Sequence, residues 1–211
     1  MARSIVSFLS SGYGSNFAAV MEKINKGYIK AVPGILISDK ADAMALVKAD
    51  KFGMHAEWIN PKSFDSKKEY EEAMIELLVK HKTDLVVTAG FMRILSPVFV
   101  RAFENRIINI HPSLLPSFPG INAQQQALNY GVKFTGCTAH FIDEGTDTGP
   151  IIMQAVVPVS ASDDVTSLSK KILKEEHRIL PESVKLFCDN KISVQGRNVL
   201  IKSSKIKFNF K

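Results

Sequence analysis

The sequence contains little cysteine and no long apolar run, and each shortage excludes a class of protein. Only Cys137 and Cys188 occur among 211 residues, far apart and in no metal-ligand spacing, so neither a disulfide framework nor a zinc site is predicted. Because no run of about 18 apolar residues occurs, a membrane-spanning helix is excluded. The apolar run Ile5–Leu9 is too short for the core of a signal peptide and leads into a glycine-rich turn. We therefore expect a protein of the reducing cytoplasm without membrane contact.

The chain is basic, with 27 lysines and arginines against 21 aspartates and glutamates, and a formal net charge of +6. This excess is compatible with an anionic ligand but does not identify one. Part of the excess positive charge lies in residues 203–211, which form a basic tail beyond the predicted domain. A nucleic-acid-binding protein would carry a basic stripe interleaved with aromatic residues or a known recognition motif. The sequence has neither, so no nucleic-acid partner is expected.

Short apolar, β-branched segments alternate with segments of helical periodicity in the first half of the chain. The strand-like segments are Ile5–Leu9, Val32–Ser38, His55–Ile59, Asp84–Ala89 and Arg106–Ile110. The helical segments are Asn16–Lys26, Asp42–Phe52 and Ser66–Lys82. Such alternation favours parallel strands joined by right-handed crossovers, with helices on both faces of the sheet.

The second half of the chain contains two structured loops. Three prolines in His111–Gly120 predict the first, and the glycine- and acid-rich segment Asp143–Pro150 predicts the second. The other predicted elements are a helix at Asn122–Tyr130, strands at Thr138–Ile142 and Ile151–Val159, a long helix at Asp163–Asn190 that is kinked or broken at Pro181, and a hairpin around Gly196 at Lys191–Lys202. We therefore predict an α/β fold with a doubly wound, mostly parallel sheet of about seven strands flanked by helices, forming one domain over residues 1–202.

The turn Ser10–Asn16 follows the first predicted strand and precedes a helix. Its two glycines let the backbone approach a ligand closely, and the free N–H groups and positive dipole end of a helix attract an anion. A tight strand-to-helix turn with Ser15 or Asn16 as N-cap explains the same residues equally well. Phe17 stands where a dinucleotide-binding turn needs a third glycine or alanine, and the lysine of a Walker A loop is missing. The turn therefore favours a monophosphate over NAD or ATP.

Asn109 and His111 are two residues apart at the end of a predicted strand, so their side chains point to the same face. The carboxyl ends of parallel strands border the crevice where ligands bind. An amide can donate a hydrogen bond to an oxyanion, an imidazole can move a proton, and a carboxylate from the Asp143–Asp147 loop can orient the imidazole. A single histidine is more often structural, but this combination predicts an acid–base site. The histidines without such neighbours, interpreted as structural, are His55, His81 and His140.

One carboxylate interrupts the apolar stripe of the last long helix. Val165, Leu168, Ile172 and Ile179 follow helical spacing, and Glu176 lies on the same stripe. Burying a carboxylate is costly unless it is paired. Glu176 is therefore expected to meet either an internal base or a ligand, and a ligand amine would suit it.

Four segments match a known pattern when they are taken together: Ser11–Asn16, Ala89–Pro97, Asn109–Pro116 and Asp147–Ile152. They resemble the phosphoribosylglycinamide formyltransferases of the folate-dependent formyltransferase group, over about residues 5 to 190. The Asn-x-His-x-Ser-Leu-Leu-Pro and Asp-x-Gly-Pro blocks are shared by the wider group, including methionyl-tRNA formyltransferase and formyltetrahydrofolate deformylase. The Gly-Ser-Asn turn points within that group to the glycinamide ribonucleotide enzymes.

The resemblance implies transfer of the formyl group of 10-formyltetrahydrofolate to the amine of glycinamide ribonucleotide in de novo purine biosynthesis, without a metal. It implies three catalytic residues, Asn109, His111 and Asp147. The implied ribonucleotide contacts are Gly14, Ser15 and Asn16 at the phosphate and Glu176 at the ribose or glycinamide end. The implied folate contacts are Lys67, Met92, Arg93, Ile94, Leu95, Asn109, Asp143, Glu144, Gly145, Thr146 and Asp147. The implied partners are these two small molecules, and the chain would be a monomer or a homodimer.

The sequence departs from the family's usual pattern at three positions. Lys67 stands where the family usually has an arginine near the folate tail, and it lacks the bidentate geometry of arginine. Tyr13 replaces a smaller or polar residue in the phosphate turn, and Leu173 occupies a place that is often polar. Two alternatives stay open. One is a sibling enzyme, such as a formyltetrahydrofolate hydrolase or another amine formyltransferase, and the other is a non-catalytic folate- or nucleotide-binding module on the same fold.

Overall fold

Strands and helices alternate along most of the chain. The computed structural model describes residues 3–202, so the predicted basic tail at residues 203–211 lies outside the described residues. The strands are β1 (Ser4–Leu9), β2 (Ala31–Ser38), β3 (His55–Trp58), β4 (Leu85–Thr88), β5 (Ile107–His111), β6 (Phe134–Phe141), β7 (Ile151–Pro158), β8 (Ile192–Gln195) and β9 (Asn198–Ile201). The helices are α1 (Ser15–Asn25), α2 (Met44–Lys51), α3 (Lys67–Lys80), α4 (Pro97–Ala102), α5 (Ala123–Tyr130) and α6 (Val165–Cys188).

The described strands form one sheet in the order β3-β2-β1-β4-β5-β6-β7-β9-β8. The strands from β3 to β5 pair in parallel, whereas β6 is antiparallel to both β5 and β7. From the central pair β1 and β4, one half of the sheet continues to β2 and β3 and the other half to β5. In sheets of this type the connections after the two central strands diverge to opposite faces, and ligands bind in the crevice between them.

Apolar side chains on both faces of the sheet explain why helices cover both faces. On β4, Leu85 and Val87 belong to one core, and the alternate residue Val86 belongs to the other. The first core packs against Phe17 of α1 and residues of α2 and α6, and the second packs against Phe99 of α4 and residues of α3. Since successive strand residues point to opposite faces, a continuous apolar run is typical of a strand buried on both sides.

The predicted doubly wound α/β fold is confirmed, but the predicted count of about seven strands is too low. Within residues 3–202 the sheet has nine strands, because the hairpin predicted around Gly196 joins it as β8 and β9. β9 pairs in parallel with β7 at Ile151 and Asn198. Most predicted boundaries agree within two residues, and the largest difference is β6, which begins at Phe134 instead of Thr138.

Three local features differ from the sequence predictions. α6 continues through Pro181, so the proline does not break the helix. The N-cap of α1 is Gly14 in the left-handed conformation and neither Ser15 nor Asn16. α4 was not predicted, although Ser96 accepts a hydrogen bond from the backbone N–H of Phe99 and a proline opens the helix. Both are usual signals of a helix start.

No helix within residues 3–202 is long and apolar enough to cross a membrane. In the same part of the chain, no three histidine, cysteine or carboxylate residues group into a possible metal site.

Candidate active site

Asn109 lies in the middle of the sheet, between two polar residues on the neighbouring strands. The parallel register of β4 and β5 places Thr88 beside Asn109, and the antiparallel register of β5 and β6 places His140 on the other side. Thr88 Oγ1 donates to Asn109 Oδ1 at 2.7 Å, and Asn109 Nδ2 donates to His140 Nε2 at 3.1 Å. These two hydrogen bonds determine which end of the amide is the donor, and they leave the second N–H of Asn109 Nδ2 without a partner in this network.

His140 is buried in its neutral form. Its Nδ1 donates to the backbone carbonyl of Phe141 at 2.8 Å, so Nε2 carries the lone pair that accepts from Asn109. Burial lowers the pKa of His140 below its ordinary value, since the charged imidazolium would lose its hydration. A protonated Nε2 would also face the N–H of Asn109. His140 therefore acts as an acceptor that orients the amide.

We expect His140 to make the folded protein less stable as the pH falls below about 6.5, its ordinary pKa. Below that pH His140 binds a proton in the unfolded chain but remains neutral in the folded protein. The stability present at higher pH is therefore lost as the pH falls through the folded pKa. Urea denaturation of the native protein and His140→Gln at several pH values would measure the effect. The difference in the free energy of unfolding between the two proteins should become smaller as the pH falls. An equal loss of stability in both proteins would contradict the expectation.

His111 lies at the end of β5 with both ring nitrogens facing acceptors. Nδ1 is 3.3 Å from Asp147 Oδ2, and Nε2 donates to the backbone carbonyl of Phe118 at 2.9 Å. A carbonyl and a carboxylate can only accept, so the imidazolium, with an N–H on each nitrogen, satisfies both contacts. The side chain is 6% exposed, and that of Asp147 is 14% exposed. The site therefore holds a largely buried imidazole and carboxylate in direct contact.

Asp147 reaches the histidine from the loop between β6 and β7. Its backbone has a φ of 55°, in the left-handed region that aspartate and asparagine adopt more readily than most residues. Gly120 N donates to Asp147 Oδ2 at 2.7 Å, so the proline loop and the acidic loop are joined at the carboxylate. His140 Nε2 lies 3.9 Å from the other oxygen, Asp147 Oδ1. The predicted residues Asn109, His111 and Asp147 are thus brought together, with His140 between them.

The glycine turn after β1 presents the N-terminus of α1 to solvent. Gly14 has a φ of 68°, and no side chain caps the helix, so its first N–H groups are available to an anion. A Cβ at Gly14 would lie 2.8 Å from the Cβ of Ala45, because α2 packs directly against the turn. Glycine is therefore required at this position for both conformation and space.

Glu176 pairs with the same turn. Asn16 Nδ2 donates to Glu176 Oε2 at 2.7 Å, joining residues that are 160 positions apart. The carboxylate meets an amide here and not an internal base, and burial raises its pKa above the ordinary value. Asn16 Oδ1 is also buried, without a hydrogen-bond partner among the described residues. The Asn16–Glu176 pair therefore keeps acceptor oxygens for a ligand that donates hydrogen bonds.

The loop after β4 carries the predicted folate residues Met92–Leu95. Met92 and Ile94 are exposed and Leu95 is buried. Ser11 N donates to the carbonyl of Gly90, and Met92 N donates to Ser11 Oγ at 2.9 Å. These hydrogen bonds hold the loops after β1 and β4 side by side at the crevice of the sheet.

The charged residues near this loop are held by internal pairs. Arg93 Nη1 is 3.9 Å from Asp39 Oδ2, and its guanidinium lies 5.4 Å from the centre of the Tyr70 ring. Lys67 Nζ is 3.7 Å from Glu71 Oε1, and this buried carboxylate also accepts from Ser96 N. Both cations remain about half exposed, with side-chain exposures of 40% for Arg93 and 50% for Lys67, so each is available to an anionic group.

Residues of the acidic loop Asp143–Asp147 make two kinds of contact. Asp143 Oδ1 accepts from Gly145 N and from Thr148 Oγ1, which shapes the loop. Glu144 accepts from Arg101 Nη1 at 2.6 Å and lines an open cavity of about 400 Å³ together with Ile142. Met92, Arg93, Ile94 and Leu95 do not line this cavity. Of the predicted folate residues, Asp143 and Glu144 therefore line this cavity, whereas Met92–Leu95 lie on the loop after β4.

A model of the formyl transferase family matches residues 4–184 of this chain. The chain belongs to this family. The resemblance predicted from the sequence motifs is therefore confirmed, and members of the family use formyl-tetrahydrofolate as a cosubstrate.

Relatives with assigned functions show which members of the family this chain is similar to. The phosphoribosylglycinamide formyltransferase of Bacillus subtilis is 40% identical over 176 residues, which are 83% of this chain and 90% of that enzyme. The trifunctional purine biosynthetic protein adenosine-3 of Bos taurus is 43% identical over 193 residues, covering 92% of this chain. The chain spans 19% of the length of that bovine protein. The predicted enzyme class, a formyltransferase, is confirmed by these matches.

A solved structure agrees with both the fold and the sequence. The crystal structure of glycinamide ribonucleotide transformylase 1 from Symbiobacterium toebii has a TM-score of 0.94 and 44% identity, and the alignment covers 95% of each chain.

Proposed function

We propose that this chain transfers the formyl group of 10-formyltetrahydrofolate to the amine of glycinamide ribonucleotide, a step of de novo purine biosynthesis. The observation that carries the proposal is the contact of His111 with Asp147 beside the oriented amide of Asn109. A protein that merely binds a nucleotide does not need a buried imidazole and carboxylate next to an amide donor. Membership of the formyl transferase family supplies the reaction class.

The reaction needs an oxyanion partner and a path for one proton. A glycinamide amine with a pKa near that of an α-amino group, about 7.7–8, is substantially unprotonated at neutral pH and attacks the formyl carbon. Formation of the new C–N bond gives a tetrahedral intermediate whose oxygen is negatively charged. The bond from the formyl carbon to the folate nitrogen then breaks. The proton lost by the attacking amine ends on the leaving folate nitrogen, so the reaction is balanced without an oxidant or reductant.

Asn109 and His111 would stabilise the oxyanion. The free N–H of Asn109 is a neutral donor, and the imidazolium of His111 adds a charged one. His111 Nε2 donates to the Phe118 carbonyl, and a substrate oxygen would accept the same hydrogen bond in place of that carbonyl. Asp147 would orient the imidazole through Nδ1 and place a negative charge beside it during the proton transfer.

The ribonucleotide would lie with its phosphate at the glycine turn. Gly14, Ser15 and Asn16 offer backbone N–H groups at the start of α1, and the Asn16–Glu176 pair offers acceptors to ribose hydroxyls or the glycinamide end. Ser11 N donates to the carbonyl of Gly90 and Met92 N donates to Ser11 Oγ, so this turn lies beside the loop after β4. The proposed folate contacts are Lys67, Met92, Arg93, Ile94, Leu95, Asn109 and residues 143–147.

An assay distinguishes this proposal from its alternatives. The purified protein is incubated with 10-formyltetrahydrofolate, with and without glycinamide ribonucleotide, and both the released folate and the formylated product are measured. Folate release that depends on the amine supports the transfer, whereas release at the same rate without it identifies a hydrolase. Saturable folate binding without any turnover identifies a binding module. Calorimetric titration with glycinamide ribonucleotide gives a second test, because the sibling enzymes are not expected to bind it.

Glu176→Gln should raise KM for glycinamide ribonucleotide by roughly 10–100-fold, since a charge-assisted hydrogen bond contributes about 1.5–3 kcal/mol. Glutamine keeps the volume and an acceptor oxygen for Asn16 Nδ2. Because burial raises the pKa of Glu176, the ionised carboxylate destabilises the fold as the pH rises above about 4.5 and through the folded pKa. The variant should therefore unfold at a higher urea concentration than the native protein at pH 8, and this advantage should vanish at low pH.

The matched control for this variant is Glu175→Gln, because Glu175 is the adjacent residue and pairs instead with Arg178. It removes the same charge without touching the Asn16–Glu176 pair. An unchanged KM in Glu176→Gln, or an equal rise in Glu175→Gln, would exclude Glu176 from the substrate contacts.

A further inference from the structure

We propose that Tyr13 and Lys48 form an additional part of the phosphate subsite, in which Tyr13 positions the Lys48 ammonium beside the glycine turn. The charge of Lys48 would then determine the preference for the phosphorylated substrate over an unphosphorylated glycinamide riboside. The inference rests on the proposed function for the identity of the substrate, and on the geometry of α2 and the turn for the position of the charge.

Tyr13 holds the lysine by two contacts. Lys48 Nζ donates to the backbone carbonyl of Tyr13 at 2.7 Å and lies 3.4 Å from the centre of the Tyr13 ring. Tyr13 is 69% exposed, so the ring that the ammonium contacts is not part of the core. A cation over an aromatic face is attracted by the ring quadrupole. Together the two contacts restrict a side chain that would otherwise sample many rotamers.

The backbone around this pair is fixed on both sides. Ala45 N donates to the carbonyl of Gly12 at 3.1 Å, which attaches the first turn of α2 to the glycine turn. Lys48 lies one helical turn after Ala45 on the same helix, so its stem starts close to the turn. Because Tyr13 directly precedes Gly14, the ammonium is held one residue from the start of the proposed phosphate contacts.

The charge of Lys48 is not neutralised by a nearby carboxylate. Among the described residues, its contacts are the carbonyl and ring of Tyr13, and the charge acting on it is that of another cation, Lys51. Partial burial and Lys51 lower the pKa of Lys48, as expected for an ammonium without an acidic partner. Since an ammonium has three N–H donors, one remains for an incoming anion after the two contacts with Tyr13.

The position of Lys48 also connects the turn with α6. Its positive charge acts on His177, whose pKa is lowered mainly by burial and further by Lys48. His177 directly follows Glu176, the predicted ribonucleotide contact. The Lys48 charge therefore acts on α6 beside the proposed ribonucleotide contact, and its hydrogen bond to the Tyr13 carbonyl holds it at the glycine turn.

Lys48→Met tests the charge, because methionine keeps most of the length and removes the ammonium. We expect KM for glycinamide ribonucleotide to rise roughly 10–100-fold, as for the loss of a hydrogen bond to a charged group, with kcat within about twofold. Tyr13→Leu, which removes the ring but keeps the carbonyl, should raise KM about 2–5-fold, and Tyr13→Phe should leave it unchanged. Lys51→Met removes an exposed cation from the same helix and serves as the matched control.

A second measurement does not depend on catalysis. Inorganic phosphate should raise the melting temperature of the native protein and of Lys51→Met, and this rise should be lost in Lys48→Met. If the native protein shows no amine-dependent formyl transfer but keeps this phosphate effect, the proposed function fails and the phosphate subsite stands. Normal phosphate stabilisation and normal KM in Lys48→Met would overturn the subsite. A lower melting temperature in Lys48→Met without phosphate, together with an unchanged KM, would overturn it as well, because the pair would then merely stabilise the fold.

Discussion

Replacing His111 with alanine is expected to lower kcat by roughly 10²–10⁴-fold while the protein stays folded. The substitution removes the donor proposed to face the oxyanion and the group proposed to move the proton. It also leaves the carboxylate of Asp147 without the imidazole that lies 3.3 Å away. His111 is at the end of β5 and makes its polar contacts with loops, so the sheet pairing of β5 does not depend on the side chain.

Steady-state kinetics and circular dichroism together check this expectation. His55→Ala is the matched control, because His55 is an exposed histidine on β3 whose partner, Glu57, is not part of the site. Free imidazole added to His111→Ala should restore part of the activity, since the variant leaves a space of the correct size beside Asp147. Near-normal turnover in a folded His111→Ala protein would exclude His111 from the chemistry.

Asp147→Asn is expected to have the second large effect, again about 10²–10⁴-fold in kcat. The amide keeps the shape of the side chain and can still accept from Gly120 N, but it removes the negative charge that faces His111 Nδ1. Asparagine also tolerates the φ of 55° at this position, so the loop should keep its conformation. The loss therefore reports the charge and not a collapse of the loop.

The comparison of KM and kcat makes this second prediction specific. A charge that supports the imidazolium in the transition state should lower kcat with little change in either KM. Asp50→Asn removes an exposed carboxylate from α2 and should behave like the native protein. If Asp147→Asn changed the folate KM alone and left kcat intact, Asp147 would be a binding residue without a part in proton transfer.

Much of the fold could be predicted because the signals are local. A strand buried on both faces needs a short apolar run, and an amphipathic helix needs apolar residues every three or four positions, so both are visible within one window of sequence. The C-terminal hairpin was predicted from Gly196, but its pairing with β7 was not, and the strand count was too low for that reason. Pro181 was expected to kink or break α6, and the break is wrong, because one helix runs from Val165 to Cys188.

The site could be predicted in part. The two-residue spacing of Asn109 and His111 places both on one face of a strand whatever the rest of the chain does. The resemblance to known formyltransferases then added Asp147, whose distance from His111 no spacing rule supplies. His140 was interpreted as structural, although it is the acceptor that orients Asn109. It could not be recognised because its partner is 31 residues away on a strand that becomes its neighbour through the fold alone.

The sequence by itself therefore determined the order along the chain of the strands and of the helices except α4, the glycine turn before α1, and the placement of an amide and an imidazole on one strand face. The tertiary structure decided which groups those residues meet: Thr88 and His140 beside Asn109, the Phe118 carbonyl at His111, Glu176 at Asn16, and Lys48 over Tyr13. The physical reason is that strand register and helix packing are set by burying apolar surface over the whole chain. Polar partners that are distant in sequence meet as a result of that burial, so local patterns do not reveal them.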